Sequence, residues 1–160
     1  MKRKETRRLL RKWARADSEI AALYDVIKTI VDEIDAVGDL RAQNIDVMPH
    51  APTVGRPTEQ AAVKRITLAD RHRGRLAEAN RQIEDLERFK DKIEGALLWT
   101  SPDEEYVVRM RYKGHIGETK EEPNPLPFYF IAELMNLTER RVKQIEASAV
   151  SIIGDYIENK

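Results

Sequence analysis

The sequence predicts an all-α fold, in which a long antiparallel helical hairpin is followed by a smaller group of short helices. Apolar residues repeat with helical spacing over two stretches of similar length, and a segment rich in proline and glycine separates them. Two helix-capping sequences follow the second stretch. Charged residues make up 35% of the 160 residues and aromatic residues only 6%, which is typical of long solvated helices rather than of a thick core.

The first stretch carries a heptad pattern, in which apolar residues alternate at spacings of four and three. Its positions are Leu9, Trp13, Ala16, Ile20, Leu23, Ile27, Ile30, Ile34 and Val37. Such a repeat is typical of a left-handed coiled coil, because only wrapped helices keep the stripe in contact. We therefore predict a coiled-coil-like helix over residues 6–38. Additional apolar residues beside the stripe indicate more than one partner helix, and these are Leu10, Ala21, Tyr24 and Val31.

A loop is predicted over residues 38–57, where two glycines and three prolines leave no regular period. Thr58 is predicted to cap a second long helix, whose apolar pattern runs from Ala62 to Leu97 and is broken at Arg73 and Lys90. Because the two helices have similar lengths, we expect an antiparallel hairpin. A two-helix hairpin buries little surface alone, so we also expect a homo-oligomer, a dimer or larger.

A capping box marks the start of a second domain. Ser101 is the predicted N-cap, Pro102 occupies the first helical position, and Glu104 lies three residues after the cap. We therefore divide the chain into a hairpin and oligomerisation domain, residues 1–99, and a C-terminal domain, residues 100–160. In the second domain a helix from Asp103 to about Tyr112 is expected, followed by a loop over residues 113–127.

Two further helices are predicted near the C-terminus, over residues 128–135 and from the N-cap Thr138 to about Ile157. Asn136 and Leu137 form a tight connection between them, and this arrangement is typical of a helix-turn-helix. In the last helix one stripe is apolar and should be buried, and its members are Val142, Ile145, Ala149, Ile152 or Ile153, and Tyr156. The other side is either a solvated face or a surface that enters the DNA major groove, where arginine recognises guanine and glutamine adenine. The predicted DNA-binding residues are Thr138, Glu139, Arg140, Arg141, Lys143, Gln144 and Ser148.

The net charge is zero, which excludes a uniformly basic nucleic-acid coat, but the charges are strongly segregated. Residues 1–15 carry eight basic side chains against Glu5, whereas residues 16–46 carry eight acidic side chains against two basic ones. The basic end is predicted either to contact phosphate or to act only as a solvated helix end. The predicted phosphate contacts are Lys2, Arg3, Lys4, Arg7, Arg8 and Arg11.

Two segments of the C-terminal part are EYVVRMRY at residues 105–112 and FIAELMNLTERRVKQIEASA at residues 130–149. Together they resemble region 4 of bacterial sigma factors. In that family the recognition helix reads the minus-35 promoter element. The resemblance implies base contacts by Glu139, Arg140 and Gln144 and backbone contacts by Arg141 and Lys143. Glu139 departs from the family pattern, which has arginine there, and this implies a different target sequence.

Residues 1–98 hold two long helices, so a complete sigma factor is not expected. The layout, with a helical N-terminal half and a region 4-like C-terminus, resembles the RinA and ArpU group of phage-encoded regulators. Members of that group control late phage genes, including the DNA-packaging operon. The resemblance implies a DNA-binding transcriptional regulator whose partner is double-stranded DNA.

Two other functions fit the same residues. A small-terminase-like packaging component would also join a helix-turn-helix to an oligomerising coiled coil. An adaptor that binds host RNA polymerase would use the region 4-like fold to contact protein rather than DNA.

Enzymatic chemistry is not expected. The chain has no cysteine, its three histidines lack metal-ligand spacing, and it has no glycine-rich phosphate loop. We therefore predict no catalytic residues, no metal and no cofactor. No apolar run is long enough to span a membrane, so a cytoplasmic protein of the bacterial host cell, associated with the nucleoid when bound, is expected.

Overall fold

The computed structural model describes residues 1–39, 57–114 and 125–159. Within these ranges it has five α-helices and no strand, so the predicted all-α class is confirmed. The helices are α1 (Arg3–Asp39), α2 (Pro57–Leu97), α3 (Pro102–Lys113), α4 (Phe128–Leu134) and α5 (Glu139–Glu158). The central parts of the two predicted loops, residues 40–56 and 115–124, lie outside the described residues.

In α1, α3 and α5 a side chain near the start of the helix accepts a hydrogen bond from a backbone amide. In α1 the Glu5 carboxylate accepts a hydrogen bond from the backbone amide of Lys2 at 3.3 Å, and the helix begins three residues before its predicted start. The predicted cap Thr58 lies inside α2, because that helix begins at Pro57, whose missing N–H is not needed in a first turn.

The predicted capping box of α3 is confirmed. The Ser101 hydroxyl accepts a hydrogen bond from the amide of Glu104 at 3.4 Å, and the Glu104 carboxylate accepts one from the amide of Ser101 at 2.9 Å. Pro102 takes the first helical position. These three residues satisfy two of the amide groups that a helix start leaves unpaired.

The chain forms two compact units, which we call the terminal unit (residues 1–19 and 85–160) and the central unit (residues 20–84). The division differs from the predicted domain boundary between residues 99 and 100, which stays a prediction. In the terminal unit the first part of α1 and the last part of α2 pack with α3 and α5. A stretch of sequence assigned to the hairpin therefore contributes to the same core as the C-terminal helices.

The terminal unit has two clusters of buried apolar side chains. The first joins α1, α2, α3 and α5 through Leu10, Trp13, Ile93, Ala96, Leu97, Val108, Tyr112, Ala149, Val150 and Ile153. The second joins α3, α4 and α5 through Val107, Leu126, Ile131, Ala132, Val142 and Ile145. Leu10, which the sequence places beside the heptad stripe, is fully buried, whereas the heptad residue Leu9 is only half-buried.

In the terminal unit Thr6 of α1 packs closely against Gly154 of α5. A Cβ atom added to Gly154 would lie 2.8 Å from the Oγ1 atom of Thr6, and the Thr6 side chain is fully buried. Because the Thr6 side chain is short and enclosed, it has no room to move aside. A glycine at position 154 therefore allows this approach of α1.

Substitution of Gly154 by alanine is expected to lower the free energy of unfolding by about 1 to 3 kcal/mol, the usual cost of overpacking. Urea unfolding followed by circular dichroism measures the loss. The matched control is Gly74→Ala in α2, where an added Cβ meets nothing within 4 Å. That control should raise stability by up to about 1 kcal/mol, because alanine favours helix over glycine. Thr6→Ala should rescue Gly154→Ala, and no rescue would contradict the proposed clash.

In the central unit contacts between polar side chains join α1 and α2. Arg65 pairs with Asp35, and the Nε2 atom of His72 lies 3.4 Å from the Glu33 carboxylate. Both contacts lie within the central unit. The apolar pattern of α2 was predicted to break at Arg73. Arg73 is exposed, and the preceding residue His72 occupies the buried position instead.

Candidate nucleic-acid interface

The turn between α4 and α5 is held by backbone hydrogen bonds. The amide of Leu137 donates to the carbonyl of Ala132 at 2.9 Å, and the amide of Asn136 donates to the carbonyl of Glu133 at 3.3 Å. These two backbone hydrogen bonds together form a Schellman motif, which needs a residue with positive φ. Asn136 supplies it at φ 52°, a conformation that asparagine tolerates better than most residues. The tight connection predicted at Asn136 and Leu137 is confirmed.

Thr138 is the N-cap of α5, as predicted. Its side-chain oxygen accepts a hydrogen bond from the amide of Arg141 at 3.3 Å. The cap leaves the first turn of α5 exposed, with the positive end of the helix dipole directed toward solvent.

The two sides of α5 differ sharply in burial. The residues buried against the rest of the terminal unit are Val142, Ile145, Glu146, Ala149, Val150, Ile153 and Gly154. The residues predicted to bind DNA are all exposed, and these are Thr138, Glu139, Arg140, Arg141, Lys143, Gln144 and Ser148. Ile152 and Tyr156, predicted on the buried stripe, are half-buried. Arg140, Lys143 and Gln144, three and four residues apart, define one surface, which we call the α5 exposed face.

Two side-chain pairs organise the α5 exposed face. The Lys143 ammonium lies 2.6 Å from the Glu139 carboxylate and 5.6 Å from the ring centre of Phe128. The Arg141 guanidinium donates to the side-chain oxygen of Gln144 at 3.4 Å. Both pairs are exposed, so their contribution to stability is small and a ligand can displace them. Their cationic and amide groups can make phosphate and base contacts.

Ser148 has a partner inside the protein. Burial of the Glu104 carboxyl opposes its ionisation, but hydrogen bonds from Ser148 and from Ser101 outweigh burial and lower its pKa. The Ser148 hydroxyl therefore links α5 to the start of α3.

A buried polar cluster behind α5 was not predicted. Glu146 is 1% exposed, and its carboxylate accepts hydrogen bonds from Arg7 Nε at 3.0 Å, from Arg7 Nη2 at 2.7 Å and from the Tyr112 hydroxyl at 2.9 Å. Burial, reinforced by the charge of Glu146, raises the pKa of Tyr112, so this hydroxyl stays protonated as a donor. The signal in the sequence was the position of Glu146, four residues after Val142 on the buried stripe.

Arg7, one of the predicted phosphate contacts, has an anionic partner inside the protein. Its guanidinium makes the two-pronged pair with Glu146, and this hydrogen bonding raises the pKa of Arg7. A guanidinium held in this geometry by a buried carboxylate is part of the packing of α1 on α5. The other predicted phosphate contacts have exposed side chains, and these are Lys2, Arg3, Lys4, Arg8 and Arg11. They lie in the terminal unit together with α5.

A second polar cluster supports α3. The indole N–H of Trp13 donates to the Glu94 carboxylate at 3.1 Å, and the Arg109 guanidinium donates to the same group at 2.6 Å. Arg109 also donates to Glu105 at 2.7 Å. One carboxylate therefore joins α1, α2 and α3, the elements on which α5 packs.

In residues 1–39, 57–114 and 125–159 no group of three His, Cys, Asp or Glu side chains could hold a metal ion. None of the described helices combines the length and the apolar composition that crossing a membrane requires.

Comparisons with protein-family models, with curated proteins and with solved structures found no match to this chain. The functional assignment therefore depends on the geometry of α5 and its surroundings.

Proposed function

We propose that the protein is a sequence-specific, double-stranded-DNA-binding transcriptional regulator of the RinA and ArpU type, encoded by a phage and controlling late or packaging genes. It acts as a homo-oligomer in the cytoplasm of the bacterial host. The observation that carries the proposal is the α5 exposed face, where Arg140, Lys143 and Gln144 project from a capped helix whose other side is buried.

The arrangement of α4 and α5 supports a helix-turn-helix. The Schellman turn at Asn136 ends α4, and Thr138 starts α5 two residues later. In such a motif the second helix enters the major groove and its N-terminal residues contact the base edges. Arg140 and Gln144 lie four residues apart in the first half of α5, within reach of neighbouring base pairs. Arginine and glutamine are side chains that read guanine and adenine.

The charge distribution also supports DNA binding. Residues 128–160 carry four basic and five acidic side chains, a net charge of −1. One of those acids, Glu146, is buried and paired with Arg7, so it adds no negative charge to the exposed surface. The exposed basic residues of α1 belong to the same unit as α5 and can add phosphate contacts to those of Arg141 and Lys143.

Replacing Gln144 and Lys143 separately by alanine is expected to separate base recognition from phosphate binding. A preferred duplex is first selected from random DNA, and affinity for it and for a random duplex is measured by anisotropy at several salt concentrations. Gln144→Ala should weaken binding to the selected duplex by about 5- to 150-fold, corresponding to 1 to 3 kcal/mol, and change random binding little. Lys143→Ala should weaken both and lower the salt slope by about one.

The matched control is Gln82→Ala, which removes an exposed glutamine of α2. Its affinity for both duplexes should be that of the wild type. Equal losses by Gln144→Ala on the selected and random duplexes would contradict base reading by α5. Capture of host RNA polymerase that survives loss of Arg140 and Gln144, with no duplex binding, would favour the adaptor instead. A ring of many subunits that protects no promoter-sized site would favour the packaging component.

A further inference from the structure

The central unit buries few of its apolar side chains. Among its described residues, the buried ones are Ile30, His72, Ala79 and Ile83. The heptad residues of the same part of α1 remain half-buried, namely Ile20, Leu23, Ile27 and Ile34. Long helices gain most of their stability from packing of an apolar face. A half-buried heptad stripe therefore indicates that another helical surface covers it.

Three of the exposed large apolar side chains of the central unit lie on one side of this stripe. Tyr24 is 53% exposed, Val31 43% and Ile66 61%. Tyr24 follows the heptad residue Leu23, Val31 follows the buried Ile30, and Ile66 follows Arg65, which pairs with Asp35.

A step of one residue along a helix turns the side chain by about 100° around the axis. When two helices are antiparallel, the residue that directly follows a contact residue lies on the same side of the pair in both helices. Tyr24, Val31 and Ile66 therefore share one side of an antiparallel α1–α2 pair, which we call the open face. Arg73 follows the buried His72 by the same step, so it also belongs to the open face.

The two helices of the central unit carry opposite charges. Residues 20–36 of α1 have four acidic side chains against one lysine, a net charge of −3. Residues 62–84 of α2 have six basic side chains against three acidic ones, a net charge of +3. A second copy of the same surface is self-complementary if α1 of each copy lies against α2 of the other. Placing α1 against α1 would instead oppose two acidic helices.

We propose that the open face binds the open face of a second copy, forming a four-helix bundle in which acidic and basic helices alternate. The two-fold axis runs parallel to the helices, because an axis perpendicular to them would bring like-charged helices together. Burial of Tyr24, Val31 and Ile66 in this bundle covers the half-buried heptad stripe. The inference rests on the homo-oligomer part of the proposed function and specifies its surface and arrangement.

Val31→Lys tests the surface. Sedimentation equilibrium of the full chain without DNA should give a dimer for the wild type and a dissociation constant at least about 30-fold higher for Val31→Lys, a hot-spot loss. The control is Val26→Lys, which changes the same residue type at 41% rather than 43% exposure. Val26 precedes Ile27 and so lies on the other side of the stripe, where lysine should leave the dimer intact. Circular dichroism verifies that both variants keep their helices.

Disulfide cross-linking tests the arrangement, because the chain has no cysteine of its own. Val31 and Arg73 lie at about the same height of the pair, since Glu33 lies next to His72. Copies with Val31→Cys are mixed with differently tagged copies with Arg73→Cys and oxidised. A mixed disulfide that exceeds both homodisulfides is expected, because α1 faces α2 of the other copy.

Three outcomes would overturn the inference. These are a wild-type monomer at the highest measurable concentration, equal loss of the dimer in Val31→Lys and Val26→Lys, or a predominant Val31→Cys homodisulfide. DNA binding is measured separately from mass. A monomer that reads its selected duplex would overturn the interface alone, whereas a dimer that binds no duplex would overturn the DNA-binding proposal alone.

Discussion

Replacement of Trp13 by alanine is expected to lower the free energy of unfolding by about 3 to 5 kcal/mol. The side chain is fully buried in the cluster that joins α1, α2, α3 and α5. Its removal leaves a cavity that four helices line, and it also removes the hydrogen bond from the indole N–H to Glu94. Urea unfolding of the variant and the wild type, followed by circular dichroism, measures the loss.

Two variants separate packing from hydrogen bonding at this site. Trp13→Phe keeps most of the ring volume and loses the N–H, and Glu94 keeps its partner Arg109 at 2.6 Å, so a loss of only about 1 to 2 kcal/mol is expected. Trp99→Ala removes the other tryptophan, which is 71% exposed, and should cost less than about 1 kcal/mol. If Trp13→Ala cost no more than Trp99→Ala, Trp13 would not be part of a packed core.

The helix boundaries of the C-terminal half were predictable because the residues that determine them are neighbours in sequence. Ser101 and Glu104 form the box that starts α3, and Thr138 caps α5 through Arg141 three residues later. Each signal needs only one turn of chain, so its meaning does not depend on what packs nearby. The same holds for the turn at Asn136.

Burial along the long helices was predicted less well. A heptad period predicts which residues form an apolar stripe, but it does not predict which other helices pack against that stripe. Leu10 is buried in the terminal unit beside the predicted position Leu9. His72 takes an interior position where the sequence suggested a break at Arg73. Which side of a broad stripe becomes buried depends on residues far away in sequence, and a period of 3.5 carries no information about them.

The two parts of the candidate site show the same contrast. Exposure of Arg140, Lys143 and Gln144 follows from the helical period and the buried stripe, and it was predicted. The separation of Arg7 from the other basic residues was not, because its partner Glu146 lies 139 positions away. Composition does not distinguish the arginines of the basic N-terminal end from one another. In the folded protein one of them, Arg7, is bonded to the Glu146 carboxylate.

Replacement of Glu146 by alanine is expected to lower the free energy of unfolding by about 2 to 3 kcal/mol. Removing one partner of a buried ion pair usually costs about 3 to 5 kcal/mol, because the remaining charge loses its compensation. Here the Arg7 side chain is 43% exposed and can regain water, so we expect a smaller loss. The Tyr112 hydroxyl, which is bonded to the same carboxylate at 2.9 Å, also loses its acceptor. Urea unfolding measures the change.

A double-mutant cycle tests whether Arg7 acts through Glu146. If the pair joins α1 to α5, Arg7→Ala and Glu146→Ala together should cost less than the sum of the single losses, by about 1 to 3 kcal/mol. The matched control is Arg8→Ala, which removes an exposed neighbouring arginine.

Arg8→Ala should leave stability unchanged within about 0.5 kcal/mol and lower the salt slope of DNA binding, because an exposed arginine is free to contact phosphate. Arg7→Ala should instead lower stability and leave the salt slope of DNA binding unchanged, because the Arg7 guanidinium already has an anionic partner inside the protein. Additive losses in the cycle would show that Arg7 does not act through Glu146. Equal effects of the two arginines on the salt slope would show that Arg7 belongs with the phosphate contacts.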